Sequence, residues 1–136
     1  IFPISLVNLD IRWSVKRRSI SSWLSPGPPR KPKLGFDSKA GWMAYFMRNN
    51  LLFVKSWPTF PKKPYNEMAG LTLSIWYPDG PMCELEPIGP QEILRPGDKA
   101  SFTEDWWVIE QEFPGKAKSV DLEQLEAKVK KLTNRK

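Results

Sequence analysis

Segments 42–47 (WMAYFM) and 51–57 (LLFVKSW) are two runs of aromatic and aliphatic residues separated by the three polar residues RNN. Such residues favour strands, and a short polar segment between two runs of them is typical of a β-hairpin. Because side chains alternate between the two faces of a strand, Trp42, Ala44 and Phe46 are predicted to share one face. These segments therefore predict two antiparallel strands around which an all-β fold can be built.

Further strands and irregular segments lie on both sides of this hairpin. The proline-rich segment 25–32 predicts irregular, extended chain, because proline lacks a backbone donor and restricts φ. Residues 71–77 alternate aliphatic and polar side chains and end at the turn residues 78–81, which predicts a half-buried strand. Strands 82–87 and 99–109 are predicted to pair antiparallel and to complete a meander. The predicted fold class is an all-β, antiparallel β-sandwich with a short C-terminal helix.

The chain is predicted to divide into a β part, residues 1–115, and a Lys-rich tail, residues 116–136. Only the tail has a helical pattern of apolar residues. The apolar residues of the tail step by three, four and three: Leu122, Leu125, Val129 and Leu132. This spacing is a narrow helical stripe and predicts a helix over residues 119–133, with Ser119 or Asp121 as its N-cap. Two alternatives remain for the tail: a helix docked on the sandwich edge or on a partner, or a frayed, solvated segment.

Composition and charge exclude several classes of function. The chain has no histidine and a single cysteine, Cys83, so the common zinc sites, a histidine base and a Ser-His-Asp triad cannot be built from it alone. No run of 18 apolar residues occurs, so no membrane-spanning helix is predicted. The net charge of +6 divides into +10 for residues 1–63, −8 for residues 64–115 and +4 for the tail. Because the central block is acidic and basic runs are usually solvated faces, nucleic acid is not predicted as a partner.

Two acidic residues of one predicted strand are the strongest candidates for a functional site. Glu84 and Glu86 leave one face of that strand, and Cys83 and Leu85 leave the other. Together with Trp106-Trp107, the two acids match what a sugar site uses, since carboxylates accept hydroxyl protons and indole faces cover the C–H side of a pyranose. The alternative is that both acids are solvent-facing residues of an edge strand. Since neighbours on a strand face opposite ways, at least one of the two tryptophans is expected in the core.

Five short motifs occur in the same order as in a known superfamily. They are Lys33-Leu34-Gly35, Gly41-Trp42-Met43-Ala44-Tyr45, Leu52-Phe53-Val54-Lys55, Glu84-Leu85-Glu86-Pro87 with Gly89-Pro90, and Leu94-Arg95-Pro96-Gly97-Asp98. In these motifs the chain resembles the galactose-mutarotase-like (aldose 1-epimerase-like) superfamily, and within it a branch of uncharacterised bacterial members. The match covers about residues 8–113. The resemblance implies that the chain is the C-terminal portion of a longer mutarotase-like supersandwich.

The resemblance also implies a role for one residue. In the superfamily the glutamate of Leu-Glu-Pro is the general base that takes the anomeric hydroxyl proton of an aldose, while a histidine protonates the ring oxygen. Carried to this sequence, the base is Glu86, and Glu84, Trp42, Lys55 and Trp106 are predicted to bind the sugar. The default interpretation of Trp42 is a packing residue, and that of Lys55 is a surface charge. The acid histidine either lies upstream of this chain, or the branch has lost catalysis and kept sugar binding.

Two functions from different classes follow. The first is a carbohydrate-binding, mutarotase-like protein, with aldose 1-epimerase activity in the intact protein and no cofactor or metal. The alternative is a non-catalytic structural or interaction β-sandwich, for which the charged tail would be the interface. The two are distinguished by whether the acidic strand face and a tryptophan line one concave surface. In both cases an oligomer or an N-terminal portion is expected to cover the sheet that part of a sandwich leaves exposed.

Overall fold

The computed structural model describes the chain over residues 5–8, 20–23, 33–67, 70–76, 83–114 and 120–134. Within these residues it contains eight strands and one helix. The strands are β1 (Ser5–Asn8), β2 (Ile20–Trp23), β3 (Lys33–Phe36), β4 (Trp42–Met47), β5 (Leu51–Ser56), β6 (Leu73–Trp76), β7 (Glu84–Pro87) and β8 (Asp105–Glu110), and the helix is α1 (Leu122–Thr133). The regular structure of the described chain is thus mostly strand with a short C-terminal helix, in agreement with the all-β part of the predicted fold class.

The described strands form two antiparallel sheets. The five-stranded sheet has the order β2-β1-β4-β5-β8, and the three-stranded sheet has the order β3-β6-β7. Each pairing within the two sheets is antiparallel. The order places the hairpin strands β4 and β5 in the interior of the larger sheet and β8 at its edge.

The hairpin predicted from the sequence is confirmed, since β4 and β5 pair antiparallel along their whole length. Asn50 ends the turn with a φ of 62°, in the left-handed region that asparagine tolerates better than most residues. Its Oδ1 accepts a hydrogen bond from the Phe113 amide at 3.0 Å, and its carbonyl accepts one from the Gln111 amide at 2.9 Å. The turn therefore also anchors the chain that follows β8.

Strand β4 carries buried side chains on both of its faces. One face joins a helix-side cluster, which consists of Trp42, Ala44, Phe46, Leu52, Val54, Leu125 and Val129. The other face joins a sheet-side cluster, which consists of Met43, Trp57, Leu73 and Ile75. The shared face predicted for Trp42, Ala44 and Phe46 is therefore confirmed. Because the second cluster includes side chains of β6, apolar residues of both sheets pack together.

The predicted pairing of strands 82–87 and 99–109 is wrong. β7 pairs with β6 in the three-stranded sheet, whereas β8 pairs with β5 in the five-stranded sheet. Residues 88–104, which connect β7 and β8, contain no strand and are largely exposed. A hairpin loop has about 2–5 residues, so a connection of this length passes from one sheet to the other instead of closing a hairpin. The predicted meander is not formed.

The helix predicted over residues 119–133 is confirmed as α1. Asp121 is its N-cap, because the side-chain Oδ1 accepts a hydrogen bond from the Gln124 amide at 3.0 Å. Leu125 and Val129 of the apolar stripe are buried in the helix-side cluster. The helix therefore docks on a face of the five-stranded sheet. It does not lie on a sandwich edge, and it is not a frayed, solvated segment.

The strand predicted over residues 71–77 is the shorter strand β6. Leu73 and Ile75 point into the sheet-side cluster, as the alternation predicts. Leu71 departs from the alternation and lies over Gly35 of β3, where any side chain would overlap it. The absence of a side chain at Gly35 thus makes room for Leu71 on the face of the three-stranded sheet that points away from the sheet-side cluster.

Several sequence-based predictions lie outside the described residues. They concern the proline-rich segment 25–32, the turn 78–81, and the division between residues 1–115 and 116–136. Within the described ranges, no helix combines the length and hydrophobicity that crossing a bilayer requires.

Candidate functional site

Glu84 and Glu86 share one face of β7, as predicted. In the register with β6, Glu86 lies opposite Ser74 and Glu84 lies opposite Trp76. Leu85 instead packs against the sheet-side cluster. The face of the three-stranded sheet that carries Lys33, Ser74, Trp76, Glu84 and Glu86 is called the outer face below.

Glu86 is held by side chains of the two neighbouring strands. The Ser74 hydroxyl donates a hydrogen bond to Glu86 Oε2, and Lys33 Nζ lies 3.3 Å from the same oxygen. Lys33 Nζ also lies 3.6 Å from Glu67 Oε1. Ser74 is only 1% exposed, whereas the side chain of Glu86 is 29% exposed. The carboxylate is therefore fixed in position and still reached by solvent.

The pKa values of the two carboxyl groups shift in opposite directions. A hydrogen bond with Glu86 raises the pKa of Glu84, and burial raises it further. Burial alone would raise the pKa of Glu86, but hydrogen bonds with Ser74, Glu84 and Lys33 outweigh it and lower that pKa. The hydrogen bond with Glu86 also raises the pKa of Lys33. As the pH falls, Glu84 therefore takes up a proton first while Glu86 stays ionised.

Trp76 completes this surface, although it was not among the site residues predicted from the sequence. It lies directly opposite Lys33 on β3 and opposite Glu84 on β7, and it is half-buried. Facing residues on adjacent strands have Cβ atoms about 4.5–5.5 Å apart, so the three side chains are neighbours. The alternation of β6 placed Trp76 beside Ser74, but only the strand pairing shows that both lie next to the acids.

Lys55, Glu104, Trp106 and Phe53 form a second group, the Lys55 cluster. Lys55 is 9% exposed, and its Nζ donates to the Leu85 carbonyl at 2.8 Å and lies 3.0 Å from Glu104 Oε2. Trp106 Nε1 donates to the same carboxylate oxygen at 2.7 Å. The Trp106 ring meets Phe53 edge-on with centroids 5.6 Å apart, and Lys55 Nζ lies 4.8 Å from the Trp106 ring centroid. Because Leu85 belongs to β7, Lys55 connects the two sheets.

The five site residues predicted from the sequence do not meet in one place. Glu84 and Glu86 lie together on the outer face of the three-stranded sheet. Lys55 and Trp106 lie together in the Lys55 cluster. Trp42 is 6% exposed within the helix-side cluster, where it packs against other apolar side chains. The structure thus leaves Trp42 no access to a ligand at the acids and gives it its default packing role.

Packing accounts for two further residues singled out in the sequence. Trp107 packs against the helix-side cluster while Trp106 is 64% exposed, so the expectation that one of them lies in the core is confirmed. Cys83 packs against the sheet-side cluster, and its burial, with the nearby Glu84 and Glu86, raises the pKa of the thiol to about 11. The raised pKa keeps the thiol protonated at neutral pH, which disfavours a nucleophilic role.

Two of the clefts in the described part of the chain are large enough to describe, and neither is lined by a predicted site residue. A cleft of about 400 Å³ lies between α1 and the end of the larger sheet, where Phe46 and Lys128 line it. A cleft of about 210 Å³ is lined by Ser38 and Tyr65, among others. Among the described residues, no three or more His, Cys, Asp or Glu side chains are arranged to hold a metal ion. The outer face, where Trp76 lies beside the acidic residues, is outside these two clefts, so neither cleft is the concave surface by which a sugar site was to be distinguished from a structural β-sandwich.

Comparisons of the chain with protein-family models, with curated proteins and with solved structures found no match. The resemblance to the galactose-mutarotase-like superfamily stays a prediction. A functional assignment therefore has to rest on the geometry of the described residues.

Proposed function

We propose that this chain is a carbohydrate-binding protein and that the outer face of the three-stranded sheet is its binding surface. Two antiparallel sheets with a shared apolar cluster are compatible with the C-terminal portion of a mutarotase-like β-sandwich, which is the fold we propose for it. The ligand is an aldose or a sugar derivative, because the surface combines hydrogen-bond acceptors and donors with an aromatic ring.

The observation that carries this proposal is the cross-strand row of Lys33, Trp76 and Glu84. An indole face packs against the C–H side of a pyranose, and the flanking ammonium and carboxyl groups hydrogen-bond the hydroxyls. Each of the three groups comes from a different strand of one sheet, so the row is set by the sheet register. Sites built on strands hold their side chains more precisely than sites built on loops.

Glu86 lies in the neighbouring cross-strand row, opposite Ser74, and adds a fixed acceptor on the same face. The lowered pKa of Glu86 keeps it ionised, and an ionised carboxylate accepts up to about four hydrogen bonds. Both contacts from Ser74 and Lys33 are made to Oε2, which orients the group without using all of its acceptor sites. The carboxylate can therefore accept hydrogen bonds from sugar hydroxyls without moving.

Calorimetric titration of the full chain with D-galactose, D-glucose and lactose tests this function. We expect saturable binding of at least one sugar, and Trp76→Ala should weaken it about tenfold or more because it removes the stacking surface. Trp106→Ala is the matched control, since that exposed tryptophan belongs to the Lys55 cluster, and it should bind the sugar like the wild type. Binding that is unaffected by Trp76→Ala, or no binding of any of the three sugars, would contradict the proposal.

Aldose 1-epimerisation is a second candidate, and it rests on the opposite pKa shifts of Glu84 and Glu86. Carboxyl groups whose pKa values are driven apart can act as an acid and a base in one reaction. Glu86 would take the anomeric proton, although its lowered pKa makes it a weaker base than one that titrates near neutral pH.

Polarimetry of α-D-galactose mutarotation tests the enzymatic candidate. Loss of a general base should lower the catalysed rate by ~10²–10⁴-fold in Glu86→Gln, and Glu84→Gln is the comparison. Equal catalysed rates in the wild type and in Glu86→Gln would eliminate Glu86 as the base. That result would leave the binding proposal to be judged by calorimetry.

A further inference from the structure

The cleft of about 210 Å³ is formed where three segments of the chain meet. They are residues 37–39 after β3, residues 59–65 after β5, and the pair Gly70 and Thr72 before β6. None of the lining residues belongs to the outer face proposed to bind sugar. Sites for drug-sized ligands usually enclose about 300–1,000 Å³, so a ligand of this cleft has to be small.

Hydrogen bonds hold the lining of this cleft in place. Thr72 Oγ1 accepts a hydrogen bond from the Ser38 amide at 2.7 Å and donates one to the Ser38 carbonyl at 2.8 Å, and both residues are buried. On the opposite segment, the Lys63 amide donates to the Phe60 carbonyl at 3.0 Å, and the Phe60 amide donates to the Tyr65 hydroxyl at 3.3 Å. The cleft is therefore formed before a ligand enters, which lowers the entropic cost of binding.

Two opposite charges lie at the rim of the cleft without counter-ions. Asp37 and Lys39 both line the cleft, and both are exposed on either side of the buried Ser38. Within the part of the chain that the structure describes, neither forms an ion pair with the other or with a third residue. Lys63, which also lines the cleft, is instead paired with Glu92 at 2.7 Å. The rim thus presents one carboxylate and one ammonium group that no described side chain neutralises.

The cleft also offers hydroxyl groups and an aromatic ring. The Tyr65 hydroxyl accepts from the Phe60 amide, and its own proton goes to no described acceptor. The Thr59 hydroxyl likewise has no hydrogen bond to a described residue. Hydroxyl groups of this kind can donate to a carboxylate beside an ammonium group. The Phe60 ring supplies apolar surface for an aliphatic side chain.

The charged groups that line the larger cleft are, by contrast, already bonded. Lys128 Nζ lies 2.6 Å from Gln111 Oε1, and Asp121 accepts from the Gln124 amide as the N-cap of α1. Glu112 also has a partner. The smaller cleft is therefore the one whose charges are open to a ligand.

We propose that this smaller cleft binds a free α-amino acid with a short aliphatic side chain. Asp37 accepts hydrogen bonds from the ammonium group of the ligand, and Lys39, with the Tyr65 and Thr59 hydroxyls, binds its carboxylate. The aliphatic side chain packs against the Phe60 ring. A ligand with both charges satisfies both rim groups. An anion alone would lie beside Asp37, and a cation alone would lie beside Lys39, so like-charge repulsion disfavours each of them.

Calorimetric titration of the full chain with three matched compounds tests this site. L-leucine carries both charges, isocaproate keeps its side chain and carboxylate without the ammonium group, and isoamylamine keeps its side chain and ammonium group without the carboxylate. We expect leucine to bind at least about tenfold more tightly than either of the other two. Equal binding of leucine and isocaproate, or of leucine and isoamylamine, would overturn the proposal, and so would no binding of leucine.

Substitutions at the rim locate the site. Asp37→Asn should weaken leucine binding about tenfold or more and leave isocaproate binding no weaker, because only the ammonium group loses its partner. Lys39→Gln should weaken both compounds. Lys62→Gln is the matched control, since Lys62 is an exposed lysine that does not line the cleft, and it should bind leucine like the wild type. Trp76→Ala should also bind leucine like the wild type, because the outer face is a separate surface.

Circular dichroism of each variant verifies that it is folded. Wild-type affinity for leucine in both Asp37→Asn and Lys39→Gln would overturn the proposal, since leucine would then bind elsewhere. A parallel loss of leucine and isocaproate binding in Asp37→Asn would overturn it as well, because Asp37 would then support the cleft without recognising the ammonium group.

Discussion

Replacing Glu104 by glutamine should destabilise the fold more than replacing its partner Lys55 by methionine. Lys55 is 9% exposed, and its ammonium group contacts Glu104 and the Leu85 carbonyl. Removing one partner of a buried ion pair lowers the free energy of unfolding by about 3–5 kcal/mol, whereas an exposed pair contributes only about 0–1 kcal/mol to it. The side chains of Lys55 and Glu104 are 11% and 21% exposed, so this ion pair resembles a buried pair more than an exposed one. We therefore expect Glu104→Gln to lower the free energy of unfolding by about 2–3 kcal/mol.

Lys55→Met removes the other partner of the ion pair and should cost less. Lys55→Met keeps an unbranched apolar stem in the same space, and Glu104, the more exposed partner, can turn toward water while it still accepts from Trp106. The main loss is one hydrogen bond to the Leu85 carbonyl, so the expected cost is about 1–2 kcal/mol. The asymmetry arises because the more deeply buried charge is the one that Glu104→Gln leaves without its counter-ion.

Urea unfolding of the full chain, followed by far-UV circular dichroism, measures both costs. Glu92→Gln is the matched control, since the Lys63–Glu92 pair is 48% and 43% exposed and its loss should cost less than about 1 kcal/mol. The reasoning would be refuted if Glu104→Gln and Glu92→Gln were equally stable, or if Lys55→Met were the most damaging change of the three.

Two further predictions concern backbone conformation and thiol reactivity. Gly41 has a φ of 70°, and an added Cβ would lie 2.9 Å from the Trp57 carbonyl oxygen, so Gly41→Ala should cost about 2–4 kcal/mol in urea unfolding. Gly97→Ala should cost only about 1 kcal/mol, because Gly97 has a φ of 94° but open space around it, and equal costs would contradict this account. The Cys83 thiol should react with a disulfide reagent at pH 8 about 100-fold more slowly in the folded chain than in urea, because its pKa of about 11 leaves little thiolate. The rate should rise about tenfold per pH unit between pH 8 and 10, and a folded rate equal to the rate in urea would exclude the raised pKa.

Local features of the sequence were sufficient for part of the fold. The β4–β5 hairpin was predicted correctly because its two strands are joined by a short turn, so alternation and turn residues determine the pairing. The helix was predicted, with Ser119 or Asp121 as its N-cap, because spacing and capping are also local. The partners of β7 and β8 were predicted wrongly, since a long connection leaves the choice of neighbouring strand to packing between distant segments.

For the candidate site, the sequence predicted the strand face of a residue but not its neighbours on other strands. Alternation alone placed Glu84 and Glu86 on one face, as the structure has them. Alternation also gave Trp42 a face but not its neighbours, and both faces of β4 turned out to be buried. Ser74 and Trp76 join the acids only through the register of β6 with β7, which no sequence pattern in either strand reveals. Pairing between distant strands is therefore what sequence reasoning lacked.

Strand β4 contributes to both hydrophobic clusters, and this has a consequence for how the molecule unfolds. Departure of α1 would uncover Trp42, Ala44 and Phe46, and departure of the three-stranded sheet would uncover Met43 on the same strand. Both α1 and the three-stranded sheet pack on β4, one on each face. If either of them separated from β4, apolar surface of β4 would be exposed to water and the packing of the other would weaken. We therefore expect the described layers to unfold as one cooperative unit, with the amide hydrogens of β4 among the last to exchange. The helix α1, which the sequence places in the Lys-rich tail, is then expected to unfold together with the two sheets.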